Sequence, residues 1–269
     1  MNARIVDGAQ RMANDSRLLA EVSQHPHRLL FATVSGAHLY GFPSPDSDFD
    51  LRGTHVTPVE LLTGLDRVNE TVKLSHDRDG AEIDLVTHEV RKFFSLLLRD
   101  NGYVLEQLYS PLIVHTSPAH DELKDVARGC ITRRCVRHYL GFAVNQWGLF
   151  EKEEPRRVKP LLYVVRVLLS GIHMMRTGTV NANLQECNDA LGVHRLDWVD
   201  ELIARKMTGL ERETIGAEDF AFHHREYLRL REWLAREAEQ STLPDRATTE
   251  PALRDLLHRI RFGETEQAA

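Results

Sequence analysis

The stretch VNETVKLSHDRDGAEIDLVT, residues 68–87, narrows most what this chain can fold into. Two runs of alternating apolar and polar residues flank Asp79-Gly80, and an Asp-Gly pair supplies the positive φ angles of a two-residue hairpin turn. That signal commits this part of the chain to a sheet. In its second run Ile83 and Leu85 point inward while Glu82 and Asp84 share the opposite face, because strand side chains alternate. RLLFATVSG, residues 28–36, reads as a buried strand, a short apolar run ended by Gly36. DFDLRGTHVTP, beginning at Asp48, reads as another strand, stopped by Pro58. It turns Phe49 and Leu51 one way and Asp48, Asp50 and Arg52 the other.

Elsewhere the periodicity is helical. Residues 8–24 predict an opening helix through Met12, Leu18, Leu19 and Val22, and HEVRKFFSLLLRDN predicts another through Val90, Phe93, Phe94 and Leu97. Past residue 117 the strand signals fade, and helices are expected over 119–150, 158–177, 182–191, 196–207 and 217–239. Turn glycines such as Gly178, Gly192 and Gly209 separate segments, and EKEEPRRVKP interrupts two helices with Pro155 and Pro160. Residues 240–248 read as a linker and 250–262 as a last helix before a polar tail. The expected fold class is therefore α+β: a short mixed sheet with helices, followed by an all-helical domain. The expected boundaries are 1–116, 117–240 and 241–269.

A chain of 269 residues with 42% hydrophobic content can bury a sizeable core. Its N-terminus lacks a signal profile, and its apolar stretches read as too short to span a bilayer, so a soluble protein without membrane association is expected. Three cysteines, Cys130, Cys135 and Cys187, without CxxC spacing favour reduced thiols in a cytoplasm. A net charge of -6 repels nucleic acid slightly, so a polyanionic partner would need a local basic patch. Arg133, Arg134, Arg137 and His138, with Arg156 and Arg157, are the candidates; the alternative is a solvated cluster.

The segment SGAHLYGFPSPDSDFDLRG, residues 35–53, carries the chemistry. Asp48, Asp50 and Asp84 converge if their strands are neighbours. Crowded carboxylates repel and lose solvation, and a hard divalent cation compensates best. Two such ions form the clamp used for phosphoryl and nucleotidyl transfer. The glycine turn before the acids lets backbone approach a phosphate. The competing reading is a solvated acidic strand face. Arg52 lies on the acid-bearing face, able to meet a phosphate or to pair with a carboxylate. His38 and Tyr40 can stack on a ligand, or Tyr40 can cover the core edge. Lys159, Tyr163 and Arg166 share one helix face, either towards a ligand or towards water. His223-His224 reads as a surface pair, and the three tryptophans as packing anchors.

GAHLYGFPSPDSDFDL, residues 36–51, resembles the signature of the DNA polymerase β nucleotidyltransferase superfamily: G-S, a later glycine, then S-D-x-D. The longer YGFPSPDSDFDLRG, with EIDLVTHEVRKFFSLLLRDNGYVLEQLYSP and KPLLYVVRVLLSGIHMMRTG, is similar to the RNA-repair, RNA-ligase-associated branch of YcgL or RlaP type, over roughly 28–180. The resemblance implies a minimal polymerase-β-type domain followed by a helical domain, and transfer of a nucleoside monophosphate from an NTP such as ATP to a hydroxyl. Asp48 and Asp50 would bind both metal ions, Mg²⁺ with Mn²⁺ as alternative. Asp84 would complete the site and accept the proton of the attacking hydroxyl. Gly36 and Ser47 would help hold the triphosphate, with Ser35, Ala37, Tyr40 and Arg52 beside them. An NTP, two ions and three aspartates leave a charge of about -3, and Lys159 and Arg166 are the expected counter-charges. The implied acceptor is an RNA or tRNA end. The rivals are AMP transfer to a protein or small molecule and a non-catalytic nucleotide sensor. One position departs from the pattern: Ala37 stands where the superfamily usually has serine.

Overall fold

A computed structural model describes residues 9–208 and 214–263; Gly209 and the tail past Gly263 lie outside the described residues. In chain order the elements are α1 (Ser16–Ser23), β1 (Arg28–Val34), α2 (Gly36–Tyr40), β2 (Phe49–Val56), α3 (Val59–Thr63), β3 (Thr71–Arg78), β4 (Ala81–Glu89), α4 (Val90–Leu97), α5 (Gly102–Leu108), β5 (Ile113–His115) and α6 (Pro118–Ala127). Helices α7 (Val136–Lys152), α8 (Val158–Thr177), α9 (Leu184–Asp189), α10 (Asp197–Thr208), α11 (Ala217–Gln240) and α12 (Glu250–Phe262) follow. They divide between a sheet unit, drawn from 1–35, 48–130 and 247–269, and a helical unit, drawn from 36–47 and 131–246.

Among the described residues the sheet unit holds five strands in the order β3-β4-β2-β1-β5. The expected hairpin is β3–β4, with Asp79 and Gly80 at φ 53° and 74°, the double positive φ of a type I′ turn. β2 and β4 run parallel and the remaining pairs antiparallel, which makes the sheet mixed. β1 is buried along six of its seven residues, as its unbroken apolar run requires. Glu21 of α1 is fully buried and bonded to His76 and Arg78 of β3, both at 2.8 Å. The buried pair Arg261–Glu89 fastens α12 to the end of β4.

Several expectations need correction. The opening helix is broken at Asn14–Asp15: Asp15 is extended and its carboxylate caps α1, accepting the Arg17 N–H at 2.9 Å. β5, three residues long, lay below the length at which alternation is readable. The single helix expected over 119–150 is two helices. At Gly129 a Cβ would stand 2.2 Å from the Thr249 side chain, and the Thr248 N–H donates to the Gly129 carbonyl at 3.0 Å. The chain entering α12 therefore crosses tightly over Gly129. The sheet unit runs to residue 130, and the described residues 247–263 belong to it as well.

The helical unit is organised round α8, where fourteen residues from Val158 to Met175 are buried. Helices α7, α9, α10 and α11 pack against it. α8 is long and apolar enough, by length and composition, to cross a bilayer, which the apolar-run reading missed. In the fold 78% of that apolar window is buried, as in a core helix. Trp147 stacks on Tyr227 at 4.4 Å between ring centres, one of the expected packing anchors. His223 is buried rather than a surface residue, lying beside Trp198.

Candidate active site

In the sheet unit the parallel register of β2 and β4 sets Phe49 opposite Ile83, Asp50 opposite Asp84 and Leu51 opposite Leu85. Partners in a sheet point to the same face. Leu51, Ile83 and Leu85 are fully buried on one side, so Asp50 and Asp84 share the other. Asp48, two residues before Asp50, lies at the entrance to β2. Burial pushes the Asp50 carboxyl above the usual carboxylate range. Attraction to Arg52 opposes that, while repulsion from Asp48 and then Asp84 adds to it. Asp50 thus feels the charge of both neighbouring carboxylates.

Arg52 answers their charge. Its guanidinium donates to Asp50 Oδ1 at 2.5 Å, to the carbonyls of Leu51 and Asp84 at 2.8 and 3.0 Å, and to the Tyr103 hydroxyl at 3.1 Å. Tyr103 sits in the first turn of α5, where Asn101 caps the helix by accepting the Tyr103 N–H at 3.0 Å. Nothing in the sequence singled out Tyr103; it is found only through Arg52. Ser35 closes β1, donating its N–H to the Asp50 carbonyl at 2.7 Å. Its hydroxyl is buried and has no hydrogen-bond partner among the described residues.

Among the described residues no three His, Cys, Asp or Glu side chains stand close enough to cage a metal ion. The donor chemistry nevertheless fits Mg²⁺: carboxylate oxygens from three aspartates, two in register. Mg²⁺ takes one or two carboxylates and completes its shell with water and substrate phosphates rather than an all-protein cage.

The glycine turn folds with the helical unit. Gly41 has φ +87°, and a Cβ there would stand 2.8 Å from the Asn183 side chain, so the position is closed to other residues. Ala37 and Tyr40 are buried. The Arg166 guanidinium lies 4.0 Å from the centre of the Tyr40 ring, and Tyr163 meets Tyr40 and Phe42 edge-on at 5.5 and 5.8 Å. Arg166 is only 2% exposed, so the basic stripe expected along α8 does not run through it. Neither Tyr40 nor Arg166 presents an open surface to a ligand; they pack the turn.

Further along the turn, Ser44 donates its N–H to Ser47 Oγ at 2.9 Å, and the two hydroxyls lie 3.1 Å apart. Lys206 of α10 donates to Ser44 Oγ. Sequence reasoning missed Lys206, because a lysine in the last turn of an amphipathic helix reads as solvated. Lys159 and Tyr163 line a cleft of about 530 Å³ with Gln146, Leu149, Lys152, Glu153, Arg157 and Pro160. Of the expected basic patch, Arg133 pairs with Asp245, Arg156 with Glu154 and Arg157 with Glu153. Burial brings His138 down to about 4, leaving it neutral at pH 7.

The chain is 32% identical over 149 residues to the uncharacterized protein MJ0002 of Methanocaldococcus jannaschii, covering 55% of this chain and 61% of that protein. It thus spans about three fifths of that relative's length. It is 24% identical over 221 residues to the uncharacterized protein YcgL of Bacillus subtilis, covering 81% and 78%. A nucleotidyltransferase-like protein from Exiguobacterium sibiricum shows a distant structural likeness, with a TM-score of 0.32 at 11% identity over 86% of this chain and 75% of the other. Residues 11–259 match the RlaP family, described as the RNA repair pathway DNA polymerase beta family, and the chain belongs to it.

Proposed function

We propose that this protein is a metal-dependent nucleotidyltransferase, moving a nucleoside monophosphate from an NTP to a hydroxyl acceptor with release of pyrophosphate. The observation that carries the reading is the register of Asp50 against Asp84 on neighbouring parallel strands, with Asp48 two residues before. Asp48 and Asp50 would hold Mg²⁺ or Mn²⁺, and Asp84 would share the catalytic ion and take the acceptor's proton. When bound, the ions would supply the positive charge that offsets the triphosphate and the leaving pyrophosphate. Arg52, pinned by Tyr103 and two carbonyls, keeps Asp50 compensated before a nucleotide arrives. The Ser35 hydroxyl, buried and without a hydrogen-bond partner among the described residues, is a donor that a phosphate oxygen would satisfy. Its presence supports nucleotide binding by a turn that has Ala37 in place of serine.

The acceptor we favour is an RNA or tRNA end, in keeping with the RNA repair family. The cleft lined by Lys152 and Lys159, with the Tyr163 ring, has cations and an aromatic surface of the kind that single-stranded RNA uses. A net charge of -6 and the ion-paired arginines favour a second reading, AMP transfer to a protein or small molecule. The buried, unbridged cysteines fit a reducing, cytoplasmic compartment. Incubating the protein with Mg²⁺, α-labelled NTPs, total RNA and total protein tests both readings. Label on RNA, absent with Asp48→Ala/Asp50→Ala, is the expected result. Label on protein selects the second reading, and no label on either fraction removes the catalytic one.

A further inference from the structure

Lys206 is fully buried, and an ammonium withdrawn from water is costly unless hydrogen bonds compensate it. One of its N–H groups goes to Ser44 Oγ. An ammonium can only donate, so Ser44 Oγ accepts from it, which leaves the Ser44 hydrogen available to Ser47 Oγ, 3.1 Å away. Ser47 Oγ also accepts the Ser44 backbone N–H at 2.9 Å. When Ser44 is the donor of the hydroxyl pair, both Ser47 lone pairs are engaged from within the turn and its own O–H is left to donate. Successive hydrogen bonds of one direction polarise each other, which sharpens that final donor. Ser47 is half-buried and is bonded in the chain directly to Asp48.

Resting on the nucleotidyl-transfer reading, we infer that Lys206 is a positioning residue for the nucleotide. It fixes the direction of the Ser44–Ser47 relay so that the Ser47 hydroxyl is presented as a donor to a β- or γ-phosphate oxygen. The buried ammonium does not reach the ligand; it acts through two serines of the turn. This gives a turn that lacks a hydroxyl at Ala37 another way to offer one. A lysine that merely filled the core would stabilise the fold without altering which phosphates are preferred.

The test is calorimetric titration of the full chain with ATP and with AMP, Ca²⁺ replacing Mg²⁺ to prevent turnover. The variants are Lys206→Met, Ser44→Ala and the double substitution, each checked for folding by circular dichroism. Each single variant is expected to weaken ATP about tenfold and leave AMP unchanged, the double being no weaker than either, since one relay is cut. A folded variant that keeps the wild-type ratio of ATP to AMP affinity overturns the inference. If Lys206→Met does not fold, Ser44→Ala decides by the same ratio. Wild-type protein that binds AMP and ATP equally defeats the relay alone. Wild-type protein that binds neither defeats the nucleotidyl reading and the relay with it.

Discussion

The acidic site and the helical unit bury charge in different ways, although Glu21 and Glu89 elsewhere in the sheet unit also take distant partners. At the site the acids stand on strands with a two-residue period, Asp50 opposite Asp84, and Asp50 is compensated locally, by Arg52 two residues away. In the helical unit the buried cations, Arg166 and Lys206, reach residues over a hundred positions away, Tyr40 and Ser44. A strand declares which side chains share a face, so its chemistry can be read from spacing. A helix as enclosed as α8 is apolar nearly all round, and spacing says little about where its charged residues point.

The largest effect expected is at the acidic strands. Asp48→Ala/Asp50→Ala should cut transfer by roughly a thousandfold or more, since the ion clamp supplies much of the charge stabilisation. Circular dichroism should show a folded protein; retained transfer would move the catalytic centre off the sheet. Next comes Arg261→Ala, which strips the buried Glu89 of its partner and should cost about 3 kcal/mol by chemical denaturation. The contrasting variant in the helical unit is Arg236→Ala. Its pair with Glu232, at 3.6 Å and 56% and 77% exposed, should be worth less than about 0.5 kcal/mol. Equal losses would mean that the docking of α12 does not depend on the pair.

This contrast also explains what was legible. The hairpin, β1, β2 and the faces of Asp50 and Asp84 follow from alternation and an Asp-Gly turn, and α8 was read to its end residues because its apolar run is flanked by Pro155 and Gly178. The break at Gly129 was not legible, because its cause is a contact with Thr248 and Thr249 over a hundred residues away. Tyr103 and Lys206 were invisible for the same reason: each matters through a hydrogen bond to a distant residue. Arg166 was expected on an open stripe, but the aromatic rings of Tyr40 and Phe142 take its guanidinium in.

Acid should separate the units. Burial holds His55 at about 3 and His88 and His120 at about 4 in the sheet unit, against His138 at about 4 in the helical unit. These folded-state values lie below the ordinary 6.5, so the unfolded chain takes up protons first as pH falls. The contribution of these histidines is therefore full above about pH 6.5 and declines towards pH 3–4, and three of the four stand in the sheet unit. Amide exchange measured at pH 7 and pH 5 should show β2, β4 and α6 losing protection before α8. Protection lost first from α8 would reverse the order.

A small effect is also expected at Ala37, and its sign is the informative part. Ala37 is buried in α2, so Ala37→Ser places a hydroxyl where water cannot serve it. Without ligand, an unsatisfied hydroxyl should lower stability by about 1 kcal/mol. A phosphate oxygen held by the turn would satisfy that hydroxyl, returning about 1 kcal/mol and tightening ATP several-fold. The loss acts in the free protein and the gain offsets it only in the complex, so the rise in melting temperature on adding ATP should be larger in the variant than in the wild type. AMP should not reproduce the gain if the hydroxyl meets the outer phosphates. A variant whose free stability falls while its ATP-induced rise stays at the wild-type value would show that the turn around Ala37 is closed packing of the helical unit, and that phosphate is held elsewhere.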